Sequence, residues 1–254
     1  MKSLRSAADW KRSITLLLQV ILWSKKVEDN EMLEVVLLTC IETKEFGVLI
    51  KLIDALPKLT TGSFVPTAFM MTQYIYACYK LKESDKAIEA LQLMTRHKYA
   101  PSMVSVSQAI SLSESSHDFD KSIEIFESYV ARHLLPTEND SALIVDLHGY
   151  SQIIARVAIR SALNVIEADK NNGQKRTLSL IIITGIGKNS KELLEPVLKP
   201  SIKVFLQSLD PPLLAAELMD NPGRLIVSGG IIDTWITHRK RESEGRKKSW
   251  NTFV

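Results

Sequence analysis

The stretch Ala142-Leu143-Ile144-Val145-Asp146-Leu147-His148-Gly149 separates two kinds of sequence. It is short, apolar and β-branched, which predicts a buried strand. Residues two apart on a strand face the same side, so Asp146 and His148 project together while Leu147 points the other way. Gly149 lets the backbone turn sharply, and the next helix begins at Tyr150 or Ser151. A carboxylate beside an imidazole at the carboxyl end of a parallel strand lies where open α/β sheets bind ligands. The plainer alternative is an Asp that caps the following helix and a His that is an ordinary polar residue.

Downstream of this strand the pattern is α/β. Residues 151–168 carry one apolar stripe of Ile154, Val157, Ala158, Ala162, Val165 and Ile166, with Arg156, Arg160 and Asn164 off it. A polar loop over 169–176 leads to a second apolar run at 178–183. Strand, helix and strand at this spacing predict a right-handed βαβ unit with parallel strands. The second strand runs into Thr184-Gly185-Ile186-Gly187-Lys188-Asn189-Ser190. Glycines let backbone amides approach an anion, and the start of the helix expected at 193–209 favours negative charge. Lys188 adds a positive charge, so a phosphate oxygen suits this turn. Asn221-Pro222-Gly223 marks another turn. Residues 224–228 and 231–236 are expected to be two strands joined as a hairpin at Gly229-Gly230.

Upstream, three prolines set a period. Pro66, Pro101 and Pro136 are each 35 residues apart. Ser84-Asp85-Lys86-Ala87-Ile88-Glu89-Ala90-Leu91 and Phe119-Asp120-Lys121-Ser122-Ile123-Glu124-Ile125-Phe126 recur at the same offset. Apolar residues at helical spacing predict two helices per period, the first following the proline and the second starting near Asp85 or Asp120. Looser helices at 32–43 and 46–56 form an earlier pair, and a helix over 10–17 precedes them as the second of a pair. Stacked pairs bury a continuous core that no single pair can bury. The fold class is thus an α-solenoid of helix-pair repeats followed by a small α/β sandwich of order βαβαββ. The repeats span 1–137, the α/β domain 141–237 and a basic tail 238–254 that is expected to be disordered.

The 254 residues, 45% hydrophobic and 24% charged, suffice to bury a core in one large or two small domains. Net charge is only +3, and the tail accounts for it with six Lys and Arg against Glu242 and Glu244. Cys40 and Cys78 lie singly in helical patterns, without metal spacing or a disulfide framework, which favours a reducing compartment. No apolar run is long enough to span a membrane. Residues 1–12 are basic but contain Asp9 and make a poor transit peptide.

A 35-residue period with a proline before each boundary resembles the pentatricopeptide repeat (PPR) family, well over 60–137 and loosely over 5–59. In that family each repeat reads one RNA base with its fifth and last residues. The resemblance implies that Thr72 pairs with Ser102 and Ser107 with Thr137, all small hydroxyl residues able to donate or accept a hydrogen bond. These are not the commonest family pairs, and no base is assigned to them. Asp-Leu-His-Gly on the first strand, Thr-Gly-Ile-Gly on the second and the Asn-Pro-Gly-Arg-Leu-Ile-Val segment together resemble the small MutS-related (SMR) domain over 141–237. That resemblance implies nucleic-acid binding and, in some members, nicking of DNA or RNA. Asp146 and His148 occupy the family's Asp and His. Thr184, Gly185 and Gly187 occupy its Gly-rich turn. Many relatives have His-Ser shortly after the turn where this chain has Asn189-Ser190. PPR repeats followed by an SMR domain imply a plastid or mitochondrial protein.

Three functions remain open at this level. One is an endonuclease that lays single-stranded RNA on the repeats and cuts it in the SMR domain. Asp146 would orient His148 or ligate a divalent metal such as Mg, and His148 would act as general base or acid. The Gly185 and Gly187 amides with Lys188 would hold the scissile phosphate. DNA is an alternative substrate. The second is an adaptor that grips nucleic acid or a protein without cutting. The third is a repeat scaffold for proteins. Two or three repeats reading a base each, at ~1–3 kcal/mol per base, select no unique site. That favours a protein partner, further upstream repeats or low specificity.

Overall fold

The computed structural model describes residues 10–250 apart from 25–26, 28–29, 61–63, 131–133, 137–140, 174–176, 186–197 and 219–220. Trp10, 134–136 and 243–250 are described by their backbone alone. The chain forms two compact units, Met1–Ser122 and Ile123–Val254.

The first unit is helical. In order it holds α1 (Trp10–Ser24), α2 (Asn30–Glu42), α3 (Phe46–Leu59), α4 (Ala68–Leu81), α5 (Ser84–Arg96), α6 (Met103–Ser115) and the start of α7 (Phe119–Tyr129). α4 packs against α2, α3, α5 and α6, so first helices touch first helices of the neighbouring repeats as well as their own partners. Pro66 and Pro101 each stand one residue before a capping hydroxyl. Thr67 accepts the Met70 N–H at 3.2 Å, and Ser102 accepts the Ser105 N–H at 3.1 Å. The proline fixes the approach of the chain, and the cap satisfies an orphan amide of the first turn.

The helices also end alike. Lys44, Lys82, Lys98 and His117 all have φ near +60°. At each, the following N–H reaches back to a carbonyl five residues earlier: Glu45 to Cys40, Glu83 to Cys78, Tyr99 to Met94 and Asp118 to Ser113. This is the Schellman closure, which normally takes glycine because a side chain in left-handed backbone costs ~1 kcal/mol. Lys82→Gly is therefore expected to stabilise the chain by ~0.5–1 kcal/mol. The rise is a few degrees in a thermal melt, and a fall would mean that the Lys82 side chain holds something in place.

Leu33, Val36, Leu49, Met70, Ile75, Leu91 and Ile110 are among the core residues of this unit, with Cys40 and Cys78 buried among them. Burial first, and nearby Glu45 second, pushes the Cys40 thiol up to about 11. Burial likewise dominates at Cys78, pushing it up to about 12 against the opposing pull of Lys86. Unfolded thiols keep the ordinary value of 9.0, so the unfolded chain ionises first and the thiols' contribution is lost as pH rises through the folded values. Thermal stability should fall between pH 9.0 and about 12. A Cys40→Ala/Cys78→Ala double variant should show a shallower fall over that range. An unchanged slope would assign the alkaline loss to other groups.

The second unit holds β1 (Leu134–Pro136), β2 (Ala142–Asp146), α8 (Gln152–Asn171), β3 (Ser179–Ile183), α9 (Leu198–Gln207), β4 (Ala216–Leu218), β5 (Asn221–Val227) and α10 (Gly229–Trp250). The sheet order is β1-β2-β3-β5-β4. β2 and β3 are parallel, as the βαβ spacing predicts, and the other pairings are antiparallel. From β2 to β5 the order is βαβαββ.

Three expectations are corrected here. Pro136 does not precede a repeat helix; it lies on edge strand β1 opposite Leu143, a place where a missing N–H is tolerated. The hairpin lies one strand earlier than expected, between β4 and β5 with Leu218 opposite Asn221, while Gly229-Gly230 opens a helix. Ile231, Ile232, Trp235 and Ile236 follow a helical period, and Ile232, Trp235 and Ile236 are buried. A Cβ on Gly229 would lie 2.4 Å from Thr177 Cγ2 and 3.0 Å from the Leu178 carbonyl, so glycine serves close packing rather than a turn. Finally, the basic tail is helical to Trp250. It continues a helix whose buried first turns have already met the nucleation cost. Arg239 fastens it by pairing with Glu167 at 3.0 Å and lying 4.6 Å from the Trp235 ring centre.

The sheet has two unlike faces. Leu143, Val145, Leu180, Ile182, Leu225 and Val227 are buried, while Ile144, Asp146, Ile181, Ile183, Arg224 and Ile226 alternate with them and are partly exposed. The helices cover the first face. Arg160 of α8 stacks on Phe205 of α9 at 5.1 Å, and Lys199 and Lys203 of α9 pair with Glu217, whose register partner is Leu225. These lysines hold the Glu217 carboxyl at about 2, below the ordinary range, through their hydrogen bonds. No helix among the described residues is long and apolar enough to cross a membrane.

Candidate phosphate-handling site

Asp146 is the last residue of β2, and its Oδ1 accepts the backbone N–H of His148 at 3.0 Å. The same oxygen lies 2.6 Å from His148 Nδ1. A carboxylate only accepts, so Nδ1 carries the shared proton, and in the neutral ring Nε2 presents its lone pair. The imidazole side chain is 62% exposed and the carboxylate 44% exposed. Oδ2 has no partner among the described residues.

The expected meeting of two strand ends occurs. Leu147 N–H donates to the Ile183 carbonyl at 2.9 Å, continuing the parallel ladder past the end of β2. Gly185 then passes beneath the His148 ring. Its φ is +71°, and a Cβ there would lie 3.0 Å from Nε2 and 3.2 Å from Cδ2. Glycine is needed on both counts, backbone conformation and space.

Thr184 acts inside the fold. It is buried, its N–H donates to the Gly223 carbonyl at 2.9 Å, and its hydroxyl donates to the same oxygen at 3.2 Å. Asn221 Oδ1 in turn accepts the Gly223 N–H at 3.2 Å. The Thr-Gly turn and the Asn-Pro-Gly turn are thereby tied together. Below the pair, Tyr150 packs edge-on against Phe126 at 6.4 Å. Burial, then the Asp146 charge, raises its phenol above the ordinary value. Gly187 and Lys188, with Asn189, lie outside the described residues.

Arg224 is the residue that strand-by-strand reading overlooks. Asp146 is in register with Ile183, and Ile183 with Arg224, so the three form one cross-strand row. No described residue pairs with the Arg224 guanidinium. The signal was present in the sequence as a lone Arg directly after Asn-Pro-Gly, but its neighbours emerge only from the antiparallel register.

No three His, Cys, Asp or Glu among the described residues are grouped to hold a metal ion. Mg needs only one or two protein carboxylates beside substrate phosphates, and Asp146 could offer one through Oδ2.

In the helical unit, Thr72 and Ser107 are partly exposed at equivalent places on α4 and α6. The Thr72 hydroxyl donates to the Ala68 carbonyl at 2.9 Å. Ser102 is exposed, and its hydroxyl caps α6 and also lies 3.0 Å from Ser105 Oγ. Thr137 lies outside the described residues. The Thr72 and Ser102 hydroxyls thus already bond within or at the start of their helices.

Compared with known proteins, the chain matches no protein-family model, and no curated protein matches it.

Proposed function

We propose that the chain is an RNA-binding protein of the PPR-SMR type whose sheet edge acts on a phosphodiester bond of single-stranded RNA. The observation that carries this reading is the Asp146–His148 pair resting on Gly185, with the imidazole largely exposed and Nε2 over the bare Gly185 backbone. In this role Nε2 takes a proton from the oxygen that bonds to phosphorus, the P–O bond to the leaving oxygen breaks, and that oxygen gains a proton from the imidazolium through solvent; the Asp146 carboxylate orients the ring and stabilises the imidazolium. The helical unit holds the strand, with Thr72, Ser102 and Ser107 as base-facing candidates. The test is incubation of the full chain with end-labelled single-stranded RNA and DNA, with and without Mg. Cleavage of RNA supports the reading. Absence of both binding and cleavage sinks it.

A non-cutting adaptor for RNA or a protein is the second reading. It is favoured by a cleft of about 440 Å³ in the helical unit, where Ile53, Pro57 and Leu93 meet Asp54, Lys86 and Glu89. Mixed charge around an apolar floor suits a peptide better than a polyanion. RNA that binds but is never cut under any metal condition would leave an adaptor standing.

A further inference from the structure

We propose that Arg224 is the phosphate-holding cation of this site, gripping a phosphate group that His148 faces from the other side. The inference rests on the reading above and deepens it by naming the residue that binds the anion.

The argument is one of register. Asp146, Ile183 and Arg224 stand opposite one another on β2, β3 and β5. Directly paired residues share a face. Asp146 and Arg224 therefore project from the partly exposed face, about 10 Å apart at the backbone, two strand spacings. One step further along the edge, His148 lies against Gly185, which has no side chain. The Thr184 bonds to Gly223 lock the backbone immediately before Gly185 to the backbone immediately before Arg224. In the proposal these bound a notch, with the His148 imidazole and the Arg224 side chain as its walls and Ile183 with the bare backbone of Gly185 as its floor.

The chemistry of those walls selects the ligand. Arg224 has no carboxylate partner among the described residues, although Asp146 shares its row. Asp146 is instead engaged by both N–H groups of His148. A guanidinium on a partly covered surface, with no partner among the described residues, is a ready fork for two oxygens of one phosphate. Nε2 is an acceptor when neutral and a donor to phosphate when protonated. A tetrahedral anion between the two groups meets a fork on one side and a proton-exchanging nitrogen on the other.

The test uses the full chain, Arg224→Gln and Arg224→Lys. Fluorescence anisotropy of single-stranded RNA is measured across a salt series. Arg224→Gln should weaken binding several-fold and make the salt dependence shallower by about one phosphate contact. Arg224→Lys should restore the salt slope while recovering only part of the affinity, since it keeps the charge and loses the fork. Wild type that binds RNA with Arg224→Gln unchanged in affinity and slope overturns the role of Arg224 and leaves the RNA reading intact. Inorganic phosphate separates the two failures. Its titration should move the His148 ring resonances in the wild type, and in Arg224→Gln that movement should be lost while the ring signals keep their positions without phosphate. If wild type binds no RNA, the RNA reading falls, and an Arg224-dependent phosphate response still upholds the notch. No response in wild type overturns it.

Discussion

If the sheet edge cuts RNA as proposed, Asp146→Asn should cut it ~10²–10⁴-fold more slowly than wild type while binding it within a few-fold. The substitution keeps the size of the side chain and removes the feature on which the pair depends. A carboxylate can only accept from Nδ1, so the ring is held as the tautomer with Nε2 free. An amide can turn its NH₂ toward Nδ1, which then becomes the acceptor and leaves the proton on Nε2. The base is thus lost with almost no change in shape. Binding should survive because the imidazole's proton transfer belongs to the transition state, whereas the grip on the strand does not. Single-turnover cleavage and anisotropy on the same RNA measure the two effects. A variant that cuts as fast as wild type removes Asp146 from the chemistry and reduces it to a turn-holding residue.

Gly185→Ala should be nearly as damaging to cleavage for a different reason. The added Cβ would arrive 3.0 Å from Nε2 in a backbone at φ +71°. The imidazole can swing aside because it is exposed, so the stability cost is mostly the backbone strain of ~1–2 kcal/mol. Swinging aside breaks the alignment with Asp146, and a misplacement near 1 Å can cost ~10²-fold in rate. Gly173→Ala is the matched control. Its φ is +84°, but nothing lies within 4 Å of the added Cβ. It should lose comparable stability and no activity. Equal activity in both variants would mean that His148 needs no fixed position.

Much of the fold is legible in the sequence because its signals are local and repeated. Pro66 and Pro101, 35 residues apart, and the recurring Asp-Lys segments mark the helix pairs without any knowledge of contacts. Asp146 and His148 are readable because they stand two residues apart at a strand end, although a turn held by Asp146 rather than the strand itself brings them together. What escapes depends on partners distant in the chain. Gly229-Gly230 looks like a turn until Thr177 and Leu178 take the space that a side chain would fill. β4 is three residues long, too short for an alternating pattern. Thr184 has the composition of a ligand-binding loop, yet its hydroxyl points inward because Gly223 comes alongside from 39 residues away. Arg224 gains meaning only from the row it completes. Side chains that belong to the sheet edge by register rather than by motif are the ones a linear reading omits.

The helical continuation of the C-terminal segment changes what can be attached there. At 22 residues α10 is about 33 Å long, and its third turn is bolted to α8 by Arg239 and Glu167. A reporter joined in helical phase to its end would inherit a fixed bearing from the sheet domain instead of sweeping a cone, as it would on a loose tether. The chain thus carries its own mast, suited to distance measurement by paired spin labels or to a bulky fiducial for imaging.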